Sequence, residues 1–195
     1  MFRRRYTFTV LLAFHCIFST YGFWLPNEPR GSWSNFVASW DLFRLGPATK
    51  VDTRRSIAHL PYDHNLKQQM QSSLTHPPVL LTGDQAKIIG MSFQSLPYEI
   101  LALAIMPDHI HVVIGRTDRD IRRVIGHMKS QASRVLRANE YFLDQAPWSA
   151  HGWNVYLDSV EDVLRAIEYV QRNPIRAGLP RQRWNCVVPF DPAKF

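Results

Sequence analysis

The sequence has little cysteine and no apolar run of membrane-spanning length. Only two cysteines, Cys16 and Cys186, occur among its 195 residues. They form no CxxC pair, so neither a disulfide framework nor a cysteine zinc site is expected. Internal repeats, low-complexity tracts and a phosphate-binding P-loop are also lacking. We therefore expect a globular protein of the reducing cytoplasm, without a bilayer anchor.

The composition is that of a folded protein with an excess of positive charge. Hydrophobic residues make up 46% of the chain and charged residues 20%, which argues against disorder. The length suits one domain, so we expect a single domain over 1–195 with an irregular, polar insertion at about 33–80. The formal net charge of +7 favours polyanionic partners, either nucleic acid or an acidic membrane surface.

The N-terminus resembles a secretory signal, because three arginines at 3–5 precede an apolar run from Val10 to Phe18. Against that interpretation, His15 interrupts the run and no small-residue cleavage site follows. We interpret the run as a buried strand, and the alternative is a secreted metal-binding protein.

Apolar spacing and helix caps predict the remaining elements. The predicted helices are a short one at about Asn65–Leu74, one capped by Thr82 and ending near Ser95, one over about Thr117–Ala138, and one capped by Ser159 and closed by Pro174. The predicted strands are Tyr98–Ile105, His109–Ile114 and about Trp153–Leu157, the first two joined as a hairpin by Met106-Pro107-Asp108.

The helix predicted over 117–138 has a basic polar face. Two interpretations fit this face: it contacts DNA phosphates, or it is an ordinary solvated surface. Its candidate DNA-binding residues are Arg122, Arg123, Lys129, Arg134 and Arg137. Trp24, Trp153 or Trp184 could stack on unpaired bases, or could be packed in the core.

Two short patterns carry potential chemistry. His109 and His111 alternate along a strand, so both imidazoles project from one face and could hold one ion, while Ile110 faces the core. Tyr169 and Asn173 stand four residues apart on a helix and share a face. Each pattern alone is common in structural roles, as a chance HxH or as a tyrosine at the edge of a core.

Together, these residues resemble a known family. The segment from Met106 to Ile114 is similar to the MPxHxH strand of the REP-associated tyrosine transposases, members of the HUH (His-hydrophobe-His) nuclease superfamily. The segment from Ala166 to Leu179 is similar to their YxxxNPxxxG helix end. The sequence departs from the family at Asp108, where many relatives have Asn or Glu, and at Val155 and Asp158, where His and Arg are frequent.

The resemblance implies a ferredoxin-like α+β fold, an antiparallel sheet with helices packed on one face. It further implies a metal-dependent endonuclease and strand transferase acting on single-stranded, hairpin-forming DNA, as a monomer or homodimer. Tyr169 would be the nucleophile that forms a 5′-phosphotyrosine and releases a 3′-OH. Mg²⁺ or Mn²⁺ would be held by His109, His111 and Asn173. Because one phosphodiester replaces another of similar energy, religation would need no ATP.

Two further alternatives stay open. The first is a catalytically silent DNA-binding protein of the same fold. The second is a replication-initiator or conjugative nickase, which shares the histidine pair but usually carries further domains or a third histidine.

Overall fold

The computed structural model describes residues 10–32, 34–51 and 60–194. Within these residues the chain forms four strands and five α-helices. The strands are β1 (Ala13–Thr20), β2 (Ile100–Ile105), β3 (His109–Gly115) and β4 (Trp148–Leu157). The helices are α1 (Trp40–Phe43), α2 (His64–Ser72), α3 (Gly83–Ser92), α4 (Ile121–Ala138) and α5 (Val160–Arg176).

The four strands form one antiparallel sheet in the order β2-β3-β1-β4. In chain order, β1, α3, β2, β3, α4 and β4 make the β-α-β-β-α-β arrangement of ferredoxin-like folds. The predicted α+β class is therefore confirmed, and the strand that carries the histidine pair lies inside the sheet.

One face of the sheet packs against α3 and α4. Alternate residues of β3, among them Ile110 and Val112, are fully buried in this layer, as the period of a strand requires. Helix α4 contributes Val124, Met128 and Leu136 at spacings of four and eight residues, which places them on one stripe of the helix. The prediction that Ile110 faces the core is confirmed.

Helix α5 lies on the opposite face of the sheet. Val163, Ala166 and Val170 share a second buried cluster with Ala102 of β2 and Val113 of β3. The predicted placement of helices on one face thus holds for α3 and α4 only. Strand β2 is apolar on both faces, because each face is covered by a helix, whereas β3 carries its two histidines on the α5 face.

Several predicted boundaries differ from the structure; for example, the strand predicted from Tyr98 begins at Ile100 and the helix predicted to end near Ser95 ends at Ser92. Strand β4 begins at Trp148 instead of Trp153, because Trp148 pairs with Thr20 beyond a bulge in the register. Helix α4 begins after Asp120, whose side chain accepts hydrogen bonds from two backbone N–H groups of the first turn. Pro174 does not close α5: it lies inside the last turn, and the helix continues to Arg176.

The N-terminal apolar run forms β1, which lies inside the sheet and pairs with β3 from Ala13 to Ser19. The arginines at 3–5 lie outside the described residues. No helix in the part of the chain that the structure describes is long and apolar enough to cross a membrane. Cys16 and Cys186 are both free thiols.

The described part of the 33–80 segment has a small core of its own. Leu42 of α1 and Met70 of α2 are buried together with Leu25. The helix predicted near Asn65–Leu74 is confirmed as α2, whose N-cap is Asp63. The backbone of Val79 and Leu81 then bonds to Tyr21 and Pro107, so the segment returns to the sheet beside the β2–β3 turn.

Candidate active site

The β2–β3 hairpin sets the direction of the histidine pair. Its turn is closed by a hydrogen bond from Met106 N to His109 O of 2.8 Å. The turn is also tied to the end of β1, because Thr20 donates to the carbonyl of Asp108 from its backbone N–H at 2.9 Å and from its hydroxyl at 3.0 Å. His109 and His111 therefore project from the sheet face that α5 covers, with ring centroids 4.7 Å apart.

A third imidazole, that of His15, joins this pair. His15 Nε2 lies 3.1 Å from His111 Nδ1, and the two rings stack at 5.3 Å between centroids. The β1–β3 register pairs His15 with Val113 and Ile17 with His111, so the two imidazoles are diagonal neighbours on one face. His15 is not among the predicted site residues, and its only signal in the sequence is a single histidine inside an otherwise apolar strand.

Burial keeps two of these imidazoles neutral. It lowers the pKa of His15 to about 4. The pKa of His111 lies well below its ordinary value because of burial first, and then because neighbouring His109 and His15 disfavour a further positive charge. A neutral imidazole offers a nitrogen lone pair, which is the form that binds metal ions.

The remaining imidazole, that of His109, is hydrogen-bonded to the carboxyl group of Asp108. The distance from His109 Nδ1 to Asp108 Oδ1 is 2.6 Å. Burial alone would raise the pKa of Asp108, but the hydrogen bond and attraction of His109, together with a backbone hydrogen bond and Lys67, lower it. The carboxylate is thus ionised and bound to one ring nitrogen of His109.

Helix α5 brings Tyr169 to the histidines. Its apolar stripe packs on β2 and β3, which turns the neighbouring face of the helix towards the site. The ring of Tyr169 is edge-on to His111 at 5.5 Å and to His15 at 5.8 Å between centroids. The predicted meeting of phenol and imidazoles therefore occurs within a single chain.

Asn173 lies one helical turn beyond Tyr169. Its side-chain nitrogen is buried and has no hydrogen-bond partner in the described structure. Such groups are rare because leaving a buried amide unpaired costs about 1–3 kcal/mol. An amide can present either atom to a further group, because its oxygen and nitrogen are interchangeable by a flip.

The donor set fits a divalent cation. Two imidazoles and an amide match the ligands of first-row transition ions, and Mn²⁺ suits imidazole better than Mg²⁺ does. The described residues contain no group of three or more His, Cys, Asp or Glu side chains arranged to hold an ion. An ion here would therefore depend on Asn173 or on the substrate to complete its shell.

Three of the five predicted DNA-binding residues line one open groove on the other face of the sheet. Its lining consists of Lys129, Ser130, Ser133, Arg134, Arg137 and Trp148. The groove lies at the same end of the sheet as the histidines, because Trp148 pairs with Thr20 while His109 pairs with Ser19.

Within this groove the side chain of Lys129 is hydrogen-bonded to strand β4. Its ammonium donates to the carbonyl of Ser149 at 2.8 Å and contacts the ring of Phe18 at 5.6 Å. Burial lowers the pKa of Lys129 to about 8. The helical pattern placed Lys129 on the polar face, but its long stem reaches β4.

Arg122 and Arg123 lie elsewhere. They occupy the first turn of α4, near the Gly115 end of β3, whereas the histidines are at its beginning. Because α4 has 18 residues, its two ends are about 27 Å apart. The structure thus divides the predicted basic face into two groups.

The three candidate stacking tryptophans have different environments. Trp184 packs against the main core, over Gly90 of α3. Trp153 pairs with Ile17 in the sheet and is partly buried. Trp24 is partly exposed and stacks on the guanidinium of Arg30 at 4.6 Å.

The part of the chain that contains most of the site is similar in sequence to known transposases. Residues 81–173 match the family model described as "Transposase IS200 like". A Haemophilus influenzae protein named as a REP-associated tyrosine transposase is 24% identical over 92 residues, which cover 42% of this chain and 52% of that protein. The match thus spans about half the length of this curated relative.

Two solved structures show a looser likeness. A REP-associated tyrosine transposase bound to a REP hairpin gives a TM-score of 0.43 at 15% identity, over 92% of this chain and 75% of that one. A Deinococcus radiodurans chain described as a transposase gives 0.37 at 16% identity, over 88% and 97%.

Proposed function

We propose that this chain, whose residues 81–173 match a model of the IS200-like transposases, is a member of that family and cuts and rejoins single-stranded DNA through a 5′-phosphotyrosine. The observation that carries the proposal is the contact of Tyr169 with His111 inside one chain, at 5.5 Å between ring centroids. A nucleophile on a helix and a pair of metal-binding imidazoles on a strand are the parts that such a reaction requires.

The reaction is a transfer of one phosphodiester bond. Tyr169 Oη attacks the scissile phosphorus, the bond from phosphorus to the 3′ oxygen breaks, and the DNA retains a 3′-OH. The phenol proton leaves Oη during attack, and the departing 3′ oxygen takes up one proton. The reverse attack by a 3′-OH restores a phosphodiester and the free phenol. No nucleoside triphosphate is consumed.

The residues of the site divide this work. A free tyrosine phenol has a pKa of about 10 and is protonated at neutral pH, so a tyrosine nucleophile needs activation. A divalent cation held by His109, His111 and Asn173 would supply Lewis-acid polarisation of the phosphate and offset its developing charge. The Tyr169 ring contacts the rings of both His111 and His15.

The groove of α4 and β4 is the proposed path of the DNA backbone. Arg134 and Arg137 line it beside Ser130 and Ser133, and guanidinium and hydroxyl groups are common phosphate ligands. A single strand running from this groove over the end of the sheet would reach His109 on the other face. We propose a hairpin as the recognised element, with the unpaired strand beside it as the substrate.

Covalent capture tests the proposal. The purified protein is incubated with Mn²⁺ and a pool of single-stranded genomic fragments, separated on a denaturing gel, and the attached DNA is sequenced. Tyr169→Phe keeps the ring and its contacts, so we expect it to bind DNA yet form no adduct. Tyr156→Phe, at an exposed tyrosine of β4, is the matched control and keeps the adduct.

Two results oppose the proposal. An adduct that survives in Tyr169→Phe assigns the nucleophile elsewhere. Absence of any adduct in the native protein, with DNA binding intact, favours the silent DNA-binding alternative.

A further inference from the structure

Each imidazole of the HxH pair is hydrogen-bonded through its own Nδ1. Asp108 Oδ1 lies 2.6 Å from Nδ1 of His109, and His15 Nε2 lies 3.1 Å from Nδ1 of His111. These partners come from different parts of the chain, a hairpin turn and strand β1. In both imidazoles Nε2 is the nitrogen that these bonds leave unused.

We propose that His15 and Asp108 are positioning residues, which hold His111 and His109 with Nδ1 protonated and Nε2 directed to the cation. This inference rests on the proposed function. Asp108 accepts from His109 Nδ1–H as a carboxylate. His15 accepts from His111 Nδ1–H, because the opposite direction would place the proton of His111 on Nε2 and close that nitrogen to a metal ion.

His15 acts on the site without being a third metal ligand. Its Nε2 is engaged by His111, and within the described residues no group of three His, Cys, Asp or Glu side chains is arranged around one ion. A partner of this kind fixes the tautomer and the ring orientation of a ligand, and its loss typically weakens metal binding by about 10–100-fold.

Strand β1 supports both partners. His15 belongs to it directly, and Thr20 at its end holds the carbonyl of Asp108 with two hydrogen bonds. This strand precedes the region at 81–173 that matches the family model. The orientation of the histidine pair therefore depends on a distant segment of the chain, since His15 and His111 are 96 residues apart in sequence.

The tautomers can be measured directly in the metal-free protein. Long-range ¹H–¹⁵N correlation spectra of ¹⁵N-labelled protein distinguish Nδ1–H from Nε2–H imidazoles. Single His→Gln variants at 109 and 111 assign the signals. We expect both residues to carry the proton on Nδ1, and a proton on Nε2 of His111 would overturn the proposal for His15.

Variants then test the consequence for metal binding, with Mn²⁺ alone as the probe and affinity read by electron paramagnetic resonance. We expect His15→Ala and Asp108→Ala each to weaken Mn²⁺ binding by about 10-fold or more. His15→Gln and Asp108→Asn keep an oxygen acceptor near the same place, so they should stay within about fivefold of the native affinity. His127→Gln is the matched control.

The control is informative because His127 lies on α4, where it bonds to the Tyr98 hydroxyl at 2.8 Å. Its replacement removes one imidazole without touching the site. If His15→Ala is poorly folded, the tautomer spectra of the native protein still decide the matter. Native affinity in a folded His15→Ala contradicts the inference.

Failure of the inference can be told apart from failure of the proposed function. If the native protein forms its adduct and His15→Ala binds Mn²⁺ normally, only the positioning role is lost. If His109→Ala also leaves Mn²⁺ binding unchanged, the metal site itself is wrong, and the positioning proposal is overturned with it.

Discussion

The ring of Tyr169 meets the imidazole of His111 edge-on within the same chain, with 78° between the ring planes. The same ring also contacts the imidazole of His15, which stacks on that of His111. This arrangement bears on whether the tyrosine serves its own histidines or those of a second copy. The helix that carries it is packed on β2 and β3 of its own sheet.

We expect the tyrosine to act within its own chain. An equimolar mixture of Tyr169→Phe with a His109→Ala, His111→Ala double variant should form no covalent adduct, because neither chain holds a complete site. The measurement is adduct formation on a denaturing gel, with native protein diluted into each variant as the control. Adduct in the mixture would mean that the tyrosine is exchanged between subunits.

Replacing Asn173 should raise the stability of the protein and weaken its metal binding. Its unpaired, buried side-chain nitrogen opposes folding, and alanine has the higher helix propensity. We therefore expect Asn173→Ala to raise the unfolding free energy of the metal-free protein by about 0.5–2 kcal/mol. The same variant should lose Mn²⁺ affinity.

The comparison for Asn173 is Gln171→Ala, at an exposed position of the same helix. This control gains less helix propensity, because glutamine is already a good helix former, and it should keep the metal affinity. Urea unfolding and Mn²⁺ titration are read on both. A destabilised Asn173→Ala that still binds Mn²⁺ would show that the amide is a packing group.

The two groups of basic residues on α4 should contribute unequally to DNA binding. Arg134 and Arg137 line the groove near the histidine end of the sheet, whereas Arg122 and Arg123 begin the helix. Replacing the first pair by Gln should lower affinity for a single-stranded oligonucleotide. It should also reduce the slope of log affinity against log salt by about 1.4, or about 0.7 for each phosphate that is no longer neutralised.

The Arg122→Gln, Arg123→Gln pair is the matched control, since it removes the same charge from the same helix. Fluorescence anisotropy at several salt concentrations measures both. Equal reductions of affinity in the two double variants would indicate a general charge effect and would remove the groove from the DNA path.

The sequence predicted those features that depend on neighbours along the chain. Alternation in β3 directs His109 and His111 to one face, and the spacing of Tyr169 and Asn173 directs both to one side of α5. His15 could not be found in this way. Its role depends on the register between strands 96 residues apart, and a shift of one residue would have turned it to the other face.

Other differences have a similar physical cause. A helical pattern places Lys129 among solvent-facing residues, yet it does not show how far a four-carbon stem can bend towards a neighbouring strand. Pro174 was expected to end α5, because it lacks an N–H group. It is tolerated in the last turn, where Leu179 and Ala177 still donate to its carbonyl, and the helix ends before Gly178, whose φ is +72°.

Lys129 gives the stability of the protein a specific pH dependence. Burial lowers its pKa from 10.5 to about 8, so the unfolded chain binds more protons than the folded chain between these values. The unfolding free energy should therefore rise with pH across that window, by about 1–3 kcal/mol from this group. Lys129→Met should remove this rise.

The measurement is urea unfolding at pH 8 and at pH 10.5, taken as the difference between native and variant so that other groups cancel. Lys87→Met, at an exposed lysine that pairs with Asp84, is the control and should leave the rise intact. An unchanged pH dependence in Lys129→Met would mean that the ammonium is well solvated.

The buried carboxylate of Glu28 should control how firmly α2 is held. Its side chain is fully buried, and Oε1 lies 2.8 Å from Arg30 Nη2 and 3.5 Å from Lys67 Nζ. Arg30 also stacks on the ring of Tyr62 at 4.3 Å. Glu28→Gln keeps the shape but leaves two cations facing each other, and breaking such buried pairs typically costs about 3–5 kcal/mol.

If residues 33–80 are an insertion docked on the sheet, this loss of stability should stay local. Hydrogen exchange in Glu28→Gln should become faster for amides of α2, while amides of β3 and α4 keep their protection, because they belong to a different core. Asp84→Asn, which breaks an exposed ion pair, should change neither. Faster exchange throughout the sheet would instead mean that the segment and the sheet unfold as one unit.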